Sequence, residues 1–155
     1  MGEGIKMTDQ AWQGGFLDNF SPQVREKLLS LSEHFRFKAG NDIITEGDFS
    51  KYLFIIKSGR VAVDMHMPPK GRRTIRTGEA GDMINWSAVV EPHRATASLR
   101  AVQETEAFGI NGELLIVEAH KDCQLGFELY RALTEAIAGR LSATRLQFMN
   151  VYSIG

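Results

Sequence analysis

Four histidines, one cysteine and scattered acids are the side chains that could do chemistry here. His34, His66, His93 and His120 stand far apart, and no two share the i, i+4 spacing that sets a pair of imidazoles on one helix face. Cys123 is alone, so the chain can form neither an internal disulfide nor a multi-cysteine metal cluster. No phosphate-cradling loop, dinucleotide fingerprint or nucleophile elbow occurs. Asp82 and Glu91 are near in sequence, but nearness in sequence does not make a catalytic pair, and they read as surface acids. With no candidate for catalysis, the chain is expected not to be an enzyme. Recognition is left. The run Lys70-Gly71-Arg72-Arg73-Thr74-Ile75-Arg76 is either a guide for an anionic ligand or a solvated β-hairpin. The 18 basic and 19 acidic residues leave a net charge of −1, which gives no electrostatic case for nucleic acid as a partner.

The elements that must position such residues are legible from periodicity. A length of 155 residues fits one domain, and 43% hydrophobic residues supply a core. Residues 1–15, with four glycines, read as a flexible tail that Trp12 and Phe16 could pin. Ser21-Pro22 is a helix-start signal, and Val24, Leu28 and Leu31 follow at helical spacing, predicting a helix over 22–33. From Phe35 short runs punctuated by glycine predict strands at Ile43-Ile44, Tyr52–Ile56, Val61–Met65, Ala95–Ala101 and Ala107–Ile110. Val61, Val63 and Met65 alternate with Ala62 and Asp64, the pattern of a half-buried strand. Helix returns over 112–119 and again over 124–151. The long helix carries a seam of Leu129, Leu133, Ile137, Leu141, Thr144, Phe148 and Val151, and Gly139 could admit a close neighbour. Many short strands between helices predict an α+β fold: a β-roll of jelly-roll, double-stranded β-helix type with an N-terminal helix and C-terminal helices.

Four segments, in order, carry a family resemblance: Phe37-Lys38-Ala39-Gly40-Asn41-Asp42-Ile43-Ile44-Thr45-Glu46-Gly47-Asp48; Leu53-Phe54-Ile55-Ile56-Lys57-Ser58-Gly59-Arg60-Val61-Ala62-Val63; Gly81-Asp82; and Arg94-Ala95-Thr96-Ala97. Together they resemble the cyclic-nucleotide-binding domain of the catabolite activator protein, of protein kinase A regulatory subunits and of cyclic-nucleotide-gated channels, across about residues 16–150. The resemblance implies a ligand-binding regulatory domain with a phosphate-binding cassette at 84–96. There a short helix offers backbone amides to an anion, and an arginine, matched here by Arg94, adds a fixed charge and a fork of donors.

The cassette departs from the family at its first residues. The family's Phe-Gly-Glu is matched by Ile84, Asn85 and Trp86, followed by Ser87. The family's glutamate accepts from a ribose hydroxyl, whereas an indole carries a donor and no acceptor. Asn85 tolerates the left-handed turn that glycine would make but adds a side chain to the pocket. Two readings follow. A cyclic nucleotide (cAMP or cGMP) binds differently, with Asn85 or Ser87 at the sugar, or the pocket takes another small anion or nothing. Trp86 stacks on a ligand ring or fills the pocket. The candidate ligand residues are Asn85, Trp86, Ser87, Arg94, Ala95 and Thr96, with the anion at Arg94 and the amides of Ala95 and Thr96.

The rival to a small-molecule sensor is a degenerate roll that serves as a protein interaction or dimerisation module. In either case a homodimer through the long helix is expected, because its seam from Leu141 to Val151 outruns the roll. The resemblance also evokes a DNA-binding module after the long helix, and no such module lies within these 155 residues. The lone cysteine suits the cytoplasm. The polar start lacks a signal-peptide pattern, and no apolar run approaches the roughly 20 residues needed to span a bilayer.

Overall fold

A computed structural model describes residues 15–153. A single 3-10 turn, Phe16–Asn19, precedes α1 (Pro22–Ser30). Eight strands follow: β1 (Glu33–Phe37), β2 (Asp42–Ile44), β3 (Tyr52–Ser58), β4 (Arg60–Met67), β5 (Gly71–Glu79), β6 (Met83–Ile84), β7 (Ser98–Ala101) and β8 (Thr105–Asn111), with a second 3-10 turn at Trp86–Val89. Two helices close the chain, α2 (Gly112–Lys121) and α3 (Cys123–Ser153). The strands form two antiparallel four-stranded sheets, ordered β1-β8-β3-β6 and β2-β7-β4-β5. This is the expected α+β architecture, a β-roll flanked by helices.

β3 shows why the roll forms. Its Leu53-Phe54-Ile55-Ile56 run is apolar throughout because both faces of the strand are covered. Phe54 and Ile56 point between the sheets, where they meet Val61, Ile84, Leu99 and Ala107. Leu53 and Ile55 point outward to a second core made with Phe16, Leu28, Leu115, Leu125, Leu129 and Leu133. Alternation along one strand thus joins sheet to sheet and sheet to helices.

Several expectations change in detail. The first helix stops at Ser30, not residue 33, because Glu33–Phe37 pairs with β8. Ser21 does not cap that helix with its side chain; its amide and hydroxyl both donate to the buried Glu128 carboxylate, at 2.9 Å each, tying α1 to α3. Gly15, assigned to the tail, sits at φ 95° against the Gly81 carbonyl, leaving no room for a Cβ. Trp12 and the remainder of the tail lie outside the described residues. The predicted strand from Ala95 begins only at Ser98, since the Ala95 amide and carbonyl are engaged by Asp48 and Gly47. Ala62 and Asp64, read as the open side of β4, are buried. The basic run becomes β5, the longest strand. An added Cβ at Gly139 would meet nothing within 4 Å, so this glycine serves no close approach among the described residues.

The 31-residue α3 has two unlike halves. Leu125, Leu129, Ala132 and Leu133 are buried against the roll, whereas Phe148 is 62% and Val151 73% exposed. No helix among the described residues is long and apolar enough to cross a membrane.

Candidate functional site

β6 lies on β3 and delivers the chain to Asn85, whose φ of 63° and ψ of 45° make the left-handed turn expected of that residue. The side chain that glycine would lack is put to use. Its Nδ2 donates to the Tyr52 carbonyl at 2.8 Å and its Oδ1 accepts from the Ser50 hydroxyl at 3.0 Å, pinning the turn to the start of β3. The 3-10 turn Trp86–Val89 follows, the short helix that the resemblance implied for the cassette. His93 then bonds the Ser87 carbonyl through Nδ1 at 3.0 Å, which folds the cassette's second limb back over its first.

These pieces border a half-open cavity of ≈ 50 Å3. Its floor is Val63, Ile84 and Leu99. Asn85, Trp86 and Ser87 form one wall, Thr96 and Ala97 another. Two cations complete it, Arg76 from β5 and Arg140 from α3. Register explains part of this set: Arg76 pairs with Val63, and Val63 with Leu99, so the three stand in a row across the sheet.

Four of the six residues singled out from sequence, Asn85, Trp86, Ser87 and Thr96, line the cavity together. Trp86 does so while half-buried against the helical-side core. Ala95 is buried beside the cavity, and its amide, expected to meet an anion, already donates to the Asp48 carbonyl at 2.9 Å. Arg94 is exposed and bridges Phe49 through its backbone; it is not among the lining residues.

Arg76 and Arg140 were not singled out as ligand residues. Arg76 belongs to the basic run already noted. Arg140 had a subtler signal: it stands seven residues after Leu133, so a helix carries it round to within about 20° of the buried stripe. Its guanidinium donates to the Met83 carbonyl. No carboxylate lies within 4 Å of it among the described residues. Burial, helped by repulsion from Arg76 and opposed by Asp82, pushes its pKa down to about 10, so it stays charged at neutral pH. Arg76 has one loose partner, Asp82, at 3.8 Å. No group of three histidine, cysteine or acidic side chains among the described residues could hold a metal ion. Two guanidinium groups therefore border one cavity beside Ser87 and Thr96.

The family model of the cyclic nucleotide-binding domain matches residues 34–120. The chain belongs to that family, a family of ligand-binding regulatory domains. A cGMP-dependent protein kinase of Toxoplasma gondii is 34% identical over 79 residues, 51% of this chain but 7% of the kinase, so the likeness spans a small part of that protein. Among solved structures, a cyclic nucleotide-binding domain from Methylobacillus flagellatus superposes with a TM-score of 0.78 at 24% identity, covering 84% of this chain and 74% of the other. The catabolite activator protein of Thermus thermophilus gives 0.71 at 18%, covering 87% and 62%. The regulatory domain of Toxoplasma gondii PKA, solved with cAMP, gives 0.62 at 16%, covering 70% and 41%. At these identities the structural likenesses speak for the fold.

Proposed function

We propose that this chain is a regulatory sensor domain in which a small anionic ligand, a cyclic nucleotide or another small anion, enters the cassette cavity and sets how α3 seats on the roll. It performs no chemistry on the ligand, and it works in the cytoplasm. The observation that carries this reading is the convergence of the cassette, β5 and α3 on one cavity with two guanidinium groups in its wall. Arg94 stands at the cassette's outer edge, where its side chain has no ion pair or hydrogen bond among the described residues, and can meet the part of the ligand that projects from the mouth near Thr96.

Thermal shift against cAMP, cGMP and other small anions tests the reading. A ligand at a hundredfold excess over its Kd adds about 2.7 kcal/mol to stability, which for a domain of this size raises Tm by roughly 5–10 °C. The melting temperature is expected to rise with at least one of them.

A second reading has its own observation. The cavity, at ≈ 50 Å3, is far below the roughly 300–1,000 Å3 of drug-sized ligand sites, and Trp86 and Arg140 crowd it. That suits an interaction module that binds nothing small, and an unmoved Tm across the panel would favour it. Both readings include a homodimer through the far half of α3, whose exposed Leu141, Leu146, Phe148, Val151 and Tyr152 have no cover on the roll. The wild-type chain is expected to sediment as a dimer at micromolar concentration and Phe148→Asp as a monomer. A monomeric wild type, or an unchanged dimer in the variant, would count against the helix interface.

A further inference from the structure

The cavity's charge is arranged unlike any other arginine cluster on the roll. On the opposite face of the same sheet, Arg72 and Arg100 share the carboxylate of Asp64, at 3.2 and 3.0 Å. Inside the cavity two arginines face one space, and the one acid near them, Asp82, reaches only Arg76 and only at 3.8 Å. Arg140 occupies a position on α3 that continues the apolar stripe, where a leucine or methionine would pack at no electrostatic cost. Arg140 is partly withdrawn from water with no carboxylate in direct contact among the described residues, and such a placement is unfavourable. Burial is the main cause of the lowered Arg140 pKa, and the second guanidinium across the same cavity adds repulsion that Asp82 opposes. The Arg140 guanidinium's one hydrogen-bond partner among the described residues, the Met83 carbonyl, is neutral and exchangeable.

We infer that Arg140 of α3 and Arg76 of β5 form the oxyanion-binding pair of this cavity, and that they take the phosphate or carboxylate head group of a ligand whose body stays outside. Size supports the head-group restriction: a cavity of ≈ 50 Å3 is far below the roughly 300–1,000 Å3 of sites that swallow a drug-sized ligand whole. The Ser87 and Thr96 hydroxyls on the walls supply neutral donors beside the two charges. Because Arg140 stands on α3, the anion is held partly by the helix whose seating it is to control. Head-group capture then exchanges the Met83 carbonyl for a charged acceptor and draws α3 toward the cassette. Arg94, on the outer edge, becomes the lesser contact.

This inference rests on the sensor reading and can fail separately from it. Isothermal titration of the full chain uses four probes: cAMP, cGMP, inorganic phosphate and succinate. The proteins are wild type, Arg140→Gln, Arg76→Gln, Arg140→Lys and Arg94→Gln, each first checked for an intact melting transition. At least one probe is expected to bind wild type, and the probe that binds separates phosphate from carboxylate as the head group. Its Kd is expected to rise roughly 10- to 100-fold in Arg140→Gln and in Arg76→Gln, to recover partly in Arg140→Lys, and to rise less in Arg94→Gln. Binding that ignores Arg140 and Arg76 would overturn the pair and leave the sensor reading standing, most plainly if Arg94→Gln alone lost affinity. No binding of any probe at millimolar concentration would overturn both.

Discussion

Val63 and Asp64 are neighbours on β4, and they face two different electrostatic worlds. Asp64 looks out of the roll into a closed network. Thr74 donates to its carboxylate at 2.6 Å, and the Nε atoms of Arg100 and Arg72 approach at 3.0 and 3.2 Å. Burial pushes the Asp64 carboxyl up, but the hydrogen bonds from Thr74 and Arg100, with the charges of Arg100 and Arg72, outweigh it and hold the pKa below the usual value. One residue away, Val63 looks inward to Arg76 and Arg140, whose nearest acid among the described residues is Asp82, 3.8 Å from Arg76. Every charge in the first set is answered within the protein, so that set contributes to stability. The second set leaves positive charge unanswered in a concave site, where a ligand can supply the answer. The same residue type is held by carboxylates on one face of the sheet and, in our proposal, meets a ligand's anion on the other.

Three substitutions test that contrast. The largest effect is expected for Asp64→Ala, which takes the carboxylate from Arg100 and the acceptor from the Thr74 hydroxyl and leaves Arg72 with Asp42 alone. Urea denaturation should show a loss of about 2–4 kcal/mol. A loss under about 0.5 kcal/mol would erase the distinction between the faces.

Glu106 offers an intermediate case, a paired acid on the other sheet. Hydrogen bonds from Arg36 first, then His34 and Lys57, depress its pKa from 4.5 to about 2. A depressed folded-state pKa means that Glu106 adds stability above about pH 4.5 and loses that contribution as the pH falls towards 2. Glu106→Gln should therefore lower Tm at pH 7, and its Tm should fall less steeply than that of wild type across this window. Parallel curves would show that the pairs around Glu106 contribute nothing.

The smallest effect on stability is expected for Arg140→Met. The substitution removes a desolvated charge and continues the apolar stripe, so Tm at neutral pH should stay within about 1 kcal/mol equivalent of wild type or rise. A loss as large as that of Asp64→Ala would make Arg140 a structural residue.

Much of this molecule was determined by its sequence alone. The continuous apolar run of β3, the helical seam through Leu129 and Leu133 and the left-handed tolerance of Asn85 are local properties, and each is read from a few neighbouring residues. They define the roll, the helices and the cassette turn, and they bring Asn85, Trp86, Ser87 and Thr96 to one cavity. Other features depended on tertiary structure. The first helix ends early because residues 33–37 have a partner in β8, distant in sequence. The Ser21 hydroxyl turns to Glu128 of α3 instead of its own helix. The Ala95 amide is consumed by Asp48, and Arg140, not singled out from the sequence, lines the cavity while Arg94 does not. A guanidinium far from the cassette in sequence becomes part of its cavity because α3 packs across the roll, and only that packing decides which of the chain's balanced charges are left without a partner. Electrostatic pairing is a property of distances between elements, and periodicity along the chain carries no measure of them.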